Sequence, residues 1–233
     1  MRRRVGILGG SFNPPHNAHI KLGESSLKYL DIQKLIYMPT HVPSHKKIKE
    51  GWSGPVRSLM TKLAVFDINP GLAGDSIMSL GLSSLGLSNT GDDKIGSFVR
   101  KYSGQFGLHH RDDISVSDLE IIRNDVSYTI DTVKYLLSEN PEWDLSIIIG
   151  MDQALILDSW KDYIELSSLV RFCAADRGGV KTAEVKKRFP FIEYFPFPEM
   201  EISSTMIRNR IKSGLAITGL VPTVVEEFIG LIT

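Results

Sequence analysis

Five short apolar runs, at residues 5–8, 35–38, 114–119, 145–149 and 169–174, alternate along this chain with helical patterns at 19–30, 56–66, 129–137 and 153–166. That alternation predicts a parallel sheet covered on both faces. Near-continuous apolar runs such as Leu145-Ser146-Ile147-Ile148-Ile149 suit central parallel strands, so the expected fold is α/β, a doubly wound parallel sheet with helices on both faces. Ligands of such sheets sit beyond the carboxyl ends of the strands, where Gly9 and Gly150 fall.

The 233 residues, 42% hydrophobic and 23% charged, are ordinary for a soluble globular chain and are read as one domain, 1–233. Residues 71–110 break the rhythm: fifteen of the forty are Gly or Ser. The stretch reads as an insertion, and its scattered Leu, Ile, Met and Phe leave both partial packing and a surface loop open. Twenty-seven basic residues balance twenty-seven acidic ones, so no overall field attracts nucleic acid or a membrane, and an anion must be bound by a local cluster. The single cysteine, Cys173, lies in an apolar run and is read as packing. No run has the length of a membrane span and no secretory signal precedes the first strand, so a cytoplasmic location is expected.

Chemistry concentrates first where the 5–8 run enters Gly9-Gly10-Ser11-Phe12-Asn13-Pro14-Pro15-His16-Asn17-Ala18-His19. A glycine pair at a strand end, then two histidines three apart at a helix start, places backbone and two imidazoles where a polyphosphate can dock. A cap with an exposed histidine, or metal ligation by the pair, would use the same residues. A second cluster, Ile202-Ser203-Ser204-Thr205-Met206-Ile207-Arg208, sets hydroxyls at a helix entrance and a forked cation one turn further in.

The tetrad His16-Asn17-Ala18-His19 resembles the H-x-G-H signature of a nucleotidyltransferase superfamily, with Ala18 in place of its glycine. The segment 202–208 is similar to its second signature, I-S-S-T-x-I-R, and the two stand in the expected order near opposite ends of the chain. Between them, Pro39-Thr40-His41-Val42-Pro43-Ser44-His45-Lys46, Ser127-Tyr128-Thr129-Ile130-Asp131-Thr132-Val133, and Ile149-Gly150-Met151-Asp152 followed by Trp160-Lys161 resemble bacterial nicotinate-nucleotide adenylyltransferases. The insertion at 71–110 and the Asp176-Arg177-Gly178-Gly179 turn, which lacks the proline usual in that family, depart from the pattern.

The resemblance implies a Rossmann-like fold and transfer of the adenylyl group of ATP to nicotinate mononucleotide, giving deamido-NAD and pyrophosphate. It gives His16, His19, Lys46 and Arg208 catalytic roles. Gly9, Gly10, Ser11, Phe12, His16, His19, Gly150, Asp152, Ser203, Ser204, Thr205 and Arg208 would bind ATP. His45, Lys46, Tyr128, Thr129 and Trp160 would bind nicotinate mononucleotide. No carboxylate cluster suggests a protein-built metal cage, so Mg²⁺ is expected on the ATP phosphates. Another acceptor, nicotinamide mononucleotide or phosphopantetheine, and a non-catalytic nucleotide-binding regulator stay open as alternatives, as does a homo-oligomer.

Overall fold

A computed structural model describes residues 2–43, 50–66, 94, 97–98, 101–102, 113–176, 178 and 180–233. Its strands are β1 (Arg3–Gly10), β2 (Lys34–Pro39), β3 (Val42–Pro43), β4 (Ile114–Val116), β5 (Val126–Ser127), β6 (Trp143–Ile149), β7 (Arg171–Asp176) and β8 (Glu193–Pro196). Six of them form one parallel sheet in the order β4-β2-β1-β6-β7-β8, and β3 pairs with β5 in a separate parallel ladder. The direction of winding reverses at β1, which has β2 on one side and β6 on the other. Between the carboxyl ends of β1 and β6 lies the crevice where sheets of this kind take ligands.

The helices are α1 (Asn17–Tyr29), α2 (Gly54–Phe66), α3 (Leu119–Arg123), α4 (Thr129–Glu139), α5 (Met151–Ala154), α6 (Tyr163–Leu169), α7 (Val180–Arg188), α8 (Ser204–Lys212) and α9 (Thr223–Ile232). Both faces of the sheet are covered, as strands with apolar side chains on both faces require. On one face Val5, Ile7, Ile147 and Phe172 pack with Ile130 and Val133 of α4, Leu166 of α6 and Val185 of α7. On the other, Leu8, Leu35, Ile148 and Cys173 pack with Leu22 of α1 and Val65 of α2. A third cluster joins α2 to α9 through Leu59, Leu63, Val225 and Phe228. Each such fully buried side chain stabilises the fold by about 1.5–3 kcal/mol.

Several boundaries differ from the sequence expectation. The 114–119 run is a strand only as far as Val116, and Leu119 opens α3. The single helix expected at 153–166 is three pieces, α5, a 3₁₀ turn at Leu157–Ser159 and α6, with Asp162 in the left-handed region at φ 51°. The strand expected at 169–174 runs from Arg171 to Asp176, because Leu169 completes α6. Cys173 is fully buried, and burial pushes its thiol up to about 12, the state of an inert packing residue.

Of residues 71–110, those at 94, 97–98 and 101–102 are described, and they are helical. Phe98 and Tyr102 are buried, with Phe98 5.8 Å from the Phe228 ring of α9. The rest of that stretch lies outside the described residues. None of the described helices is long and apolar enough to cross a membrane.

Candidate active site

Gly9, on β1, and Gly150, just after β6, face the crevice between their strands. Among the described residues, a Cβ built on either would meet nothing within 4 Å. Packing of the described residues therefore does not require their lack of a side chain, which fits close approach by a ligand. Gly10 differs, since a Cβ there would lie 3.2 Å from the Phe12 ring. Phe12 holds a left-handed backbone, φ 44°, with its ring buried edge-on to His19 at 4.9 Å. A bulky residue in that region is strained, and the buried ring is what holds it there.

The helix expected from residue 19 begins at Asn17, so of the two histidines expected at a helix start His16 is the N-cap of α1 and His19 its third residue. The rings stack at 3.7 Å. His19 Nδ1 accepts the His16 backbone N–H at 3.2 Å, which puts the proton of the neutral ring on Nε2. Burial, and after it the neighbouring His16, hold the His19 pKa well below the usual imidazole value, so the ring is a neutral donor near pH 7. Ala18 is buried within α1.

The second cluster docks directly on the first. Ser203 caps α8, its Oγ accepting the Met206 N–H at 3.2 Å. Ser204 Oγ donates to the Pro14 carbonyl at 2.8 Å, and Arg208 Nη1 donates to the Asn13 carbonyl at 2.7 Å. Arg208 Nη2 donates to Thr205 Oγ1 at 3.2 Å, while its buried Nε has no partner among the described residues. Asn17 ties the start of α1 to the chain's end, its Nδ2 donating to the Gly219 carbonyl at 2.8 Å. Two segments far apart in sequence thus form one cationic, hydroxyl-lined wall beside the crevice.

At the other end of the site Tyr128 is the N-cap of α4, and its side chain makes no capping hydrogen bond to the described residues of that helix. Thr129 opens the helix, so its first turn is available to an anion. Lys161 Nζ lies 4.5 Å from the centre of the Tyr128 ring and pairs with Asp131 at 3.0 Å. Trp160 packs partly buried, edge-on to Phe172, with its Nε1 buried and unpartnered among the described residues. Asp152 is exposed in α5 at the mouth of the crevice. His45 and Lys46 lie outside the described residues, as do Arg177 and Gly179; Gly178 between them has φ 74°.

Sequence reasoning assigned no role to three residues that the fold brings to this site. Lys161 was visible beside Trp160, but its place over Tyr128 depends on the break between α5 and α6. Asn13 was visible only as part of a loop. Arg57 falls within the 56–66 helical pattern, and it is 1% exposed and bonds to the loops at the ends of β1 and β2. Burial lowers its pKa to about 10, which leaves it charged at neutral pH.

Residues 7–210 match the cytidylyltransferase-like family. The chain is 32% identical over 228 residues to the probable nicotinate-nucleotide adenylyltransferase of Enterococcus faecalis, covering 98% of this chain and 83% of that one. It is 30% identical to a relative of the same name from Synechococcus, over 98% of this chain and 92% of that one. A solved structure of Plasmodium falciparum nicotinic acid mononucleotide adenylyltransferase complexed with NaAD has the same fold, with a TM-score of 0.67 and 17% identity, over 98% of this chain and 96% of that one. With its two signatures joined at the switch point of a parallel sheet, the chain belongs to the nicotinate-nucleotide adenylyltransferases of the cytidylyltransferase-like family.

Proposed function

We propose that the chain transfers the adenylyl group of MgATP to nicotinate mononucleotide by in-line displacement. A phosphate oxygen of the acceptor forms a bond to the α-phosphorus, the bond from that phosphorus to the α–β bridging oxygen breaks, and pyrophosphate leaves with the electron pair. The nucleophile is already an anion, so no side chain has to activate it. The protein's task is to align two anions and to hold the charge that builds on the leaving pyrophosphate.

Three donors suit that charge: the Nε2–H of neutral His19, the Arg208 guanidinium and the His16 imidazole. Ser203, Ser204 and Thr205 line the same helix entrance. Gly9, Gly10, Ser11 and Phe12 would follow the phosphates, and Gly150 and Asp152 the ribose. Tyr128, Thr129 and Trp160 would take the nicotinate end, where the amides at the start of α4 favour a carboxylate. Lys46 and His45 are proposed here on resemblance alone. Among the described residues no group of three or more His, Cys, Asp or Glu side chains is placed to hold a metal ion, and the proposal gives Mg²⁺ to the phosphates and water.

The observation that carries this reading is the junction of Ser204 with Pro14 and Arg208 with Asn13, which brings the two signatures together and supports a shared anion site. An acceptor panel tests it. With MgATP, pyrophosphate release is expected with nicotinate mononucleotide and to be weaker with nicotinamide mononucleotide and phosphopantetheine. Faster release with either alternative would reassign the acceptor. Nucleotide binding with no release from any acceptor would make the chain a regulator.

A further inference from the structure

Arg57 is buried, and among the described residues its four hydrogen bonds all end on main-chain carbonyls: Nε donates to Trp52 at 3.2 Å, Nη1 to Ser11 at 2.6 Å and Thr40 at 2.7 Å, and Nη2 to His41 at 2.8 Å. One guanidinium thereby joins the loop after β1, the loop after β2 and the entrance to α2. A rigid, planar set of five donors can gather carbonyls from three directions, whereas a single ammonium on a flexible stem cannot do so in the same plane. The carboxyl end of β1, one wall of the crevice, is tied by this side chain to that of β2.

The network continues through the Trp52 peptide. Its carbonyl accepts from Arg57, and its N–H donates to Asn13 Oδ1 at 3.1 Å. Asn13 Nδ2 donates to the Glu50 carbonyl at 2.8 Å, so the amide spans the two residues flanking Gly51. Gly51 has φ 109°, and a Cβ there would come within 2.3 Å of Asn13 Oδ1, so only glycine permits this contact. The Asn13 carbonyl accepts from Arg208 Nη1. An unbroken path therefore runs from Arg57 through Trp52 and Asn13 to Arg208.

We propose that Arg57 and Asn13 are positioning residues for adenylyl transfer, holding the Ser11 main chain and the Arg208 guanidinium in one geometry and acting through these groups without touching the nucleotide. The inference rests on the reading that Arg208 meets the triphosphate. It extends that reading to a buried network that neither signature contains in full. In an arrangement whose catalysis depends on alignment, a displacement of about 1 Å is enough to cost on the order of 10²-fold in rate. Loss of either end of the path is expected to act on that scale.

Steady-state constants per folded molecule, from pyrophosphate release at saturating MgATP with nicotinate mononucleotide varied, test the proposal in Arg57→Lys, Asn13→Ala and Asn13→Asp. Asn13→Asp keeps the acceptor for the Trp52 N–H and loses the donor to Glu50, so it provides a second route if another variant does not fold. Each folded variant is expected to lose roughly 10- to 10²-fold in kcat, with the KM for nicotinate mononucleotide little changed. In an Arg208→Ala background the Asn13→Ala effect should shrink, because residues acting through one network are not additive. Lys212→Ala, which removes an exposed ion pair to Glu50 on the same loop, should leave the constants unchanged. Folded variants with wild-type kcat and only a lowered melting temperature would overturn the proposal, as would Asn13→Ala and Arg208→Ala losses that simply multiply. Wild-type turnover in Arg208→Ala itself would remove the underlying reading of Arg208 instead.

Discussion

The two ends of the site are built differently. At the β1 end, Asn13, Pro14 and Asn17 meet Arg208, Ser204 and Gly219, partners 190 to 202 residues away in sequence, through bonds of 2.7–2.8 Å. At the α4 end, Tyr128 is covered by Lys161, whose partner Asp131 is itself about half exposed. The adjoining β3–β5 ladder has only two residues in each strand, with Val42 and Val126 exposed. A surface ion pair of that kind contributes about 0–1 kcal/mol, whereas side chains tied to main chain across the fold fix one geometry. The end proposed for the triphosphate is thus preorganised, as charge stabilisation requires, and the end proposed for the acceptor rests on exposed contacts.

The contrast is sharpest in kinetics. His19→Ala or Arg208→Ala should lower kcat by roughly 10²-fold or more, the usual consequence of removing one preorganised charge-stabilising donor. Single-turnover measurement at saturating substrates checks this, and a folded His19→Ala variant with near-normal turnover would falsify the mechanism. At the other end Trp160→Leu should act mainly on binding. Loss of an aromatic contact worth about 0.5–1.5 kcal/mol raises the KM for nicotinate mononucleotide about two- to twelvefold, with kcat largely kept. If Trp160→Leu reduced kcat as much as His19→Ala does, the two ends would not differ in the way their bonding suggests.

How much of this was legible in the sequence follows the same division. His16, His19, Ser204 and Arg208 belong to short contiguous motifs, and the chemistry of each motif can be read from neighbouring residues. The parallel sheet was legible because its strands are apolar on both faces. Arg57 was not, since a cation in a helical pattern is usually solvated, and only the meeting of three loops supplies its carbonyls. Nor could adjacent hydroxyls be told apart: Ser203 caps α8 while Ser204 reaches Pro14, a division set by a residue at the far end of the chain. The break between α5 and α6 was hidden too, because Asp162 takes a left-handed backbone where no glycine or proline marks a stop.

Each end also has one titratable group whose pKa is shifted by burial, and the two groups answer pH in opposite directions. His19 has its pKa lowered by burial and by His16. Between its folded pKa and the ordinary value of 6.5 the unfolded chain binds a proton that the folded chain does not, so stability falls as pH drops below about 6.5. Glu120 lies beneath α4, accepting from Thr132 Oγ1 at 2.8 Å, and burial raises its pKa against the opposing effects of that bond and of Arg123. Its contribution is fully present below the ordinary carboxylate range and is lost as pH rises through the raised value. Glu120→Gln keeps an acceptor for Thr132 without the charge, so it should raise the melting temperature at pH 8 by a few degrees, at roughly 2–4 °C per kcal/mol for a domain of this size. It should also flatten the alkaline side of a melting-temperature profile while the acid side keeps its slope. Melting curves between pH 5 and 8 for the two proteins decide this: an unchanged alkaline slope would place the charge of Glu120 in an environment that solvates it, and the acceptor end would then be more open than its packing implies.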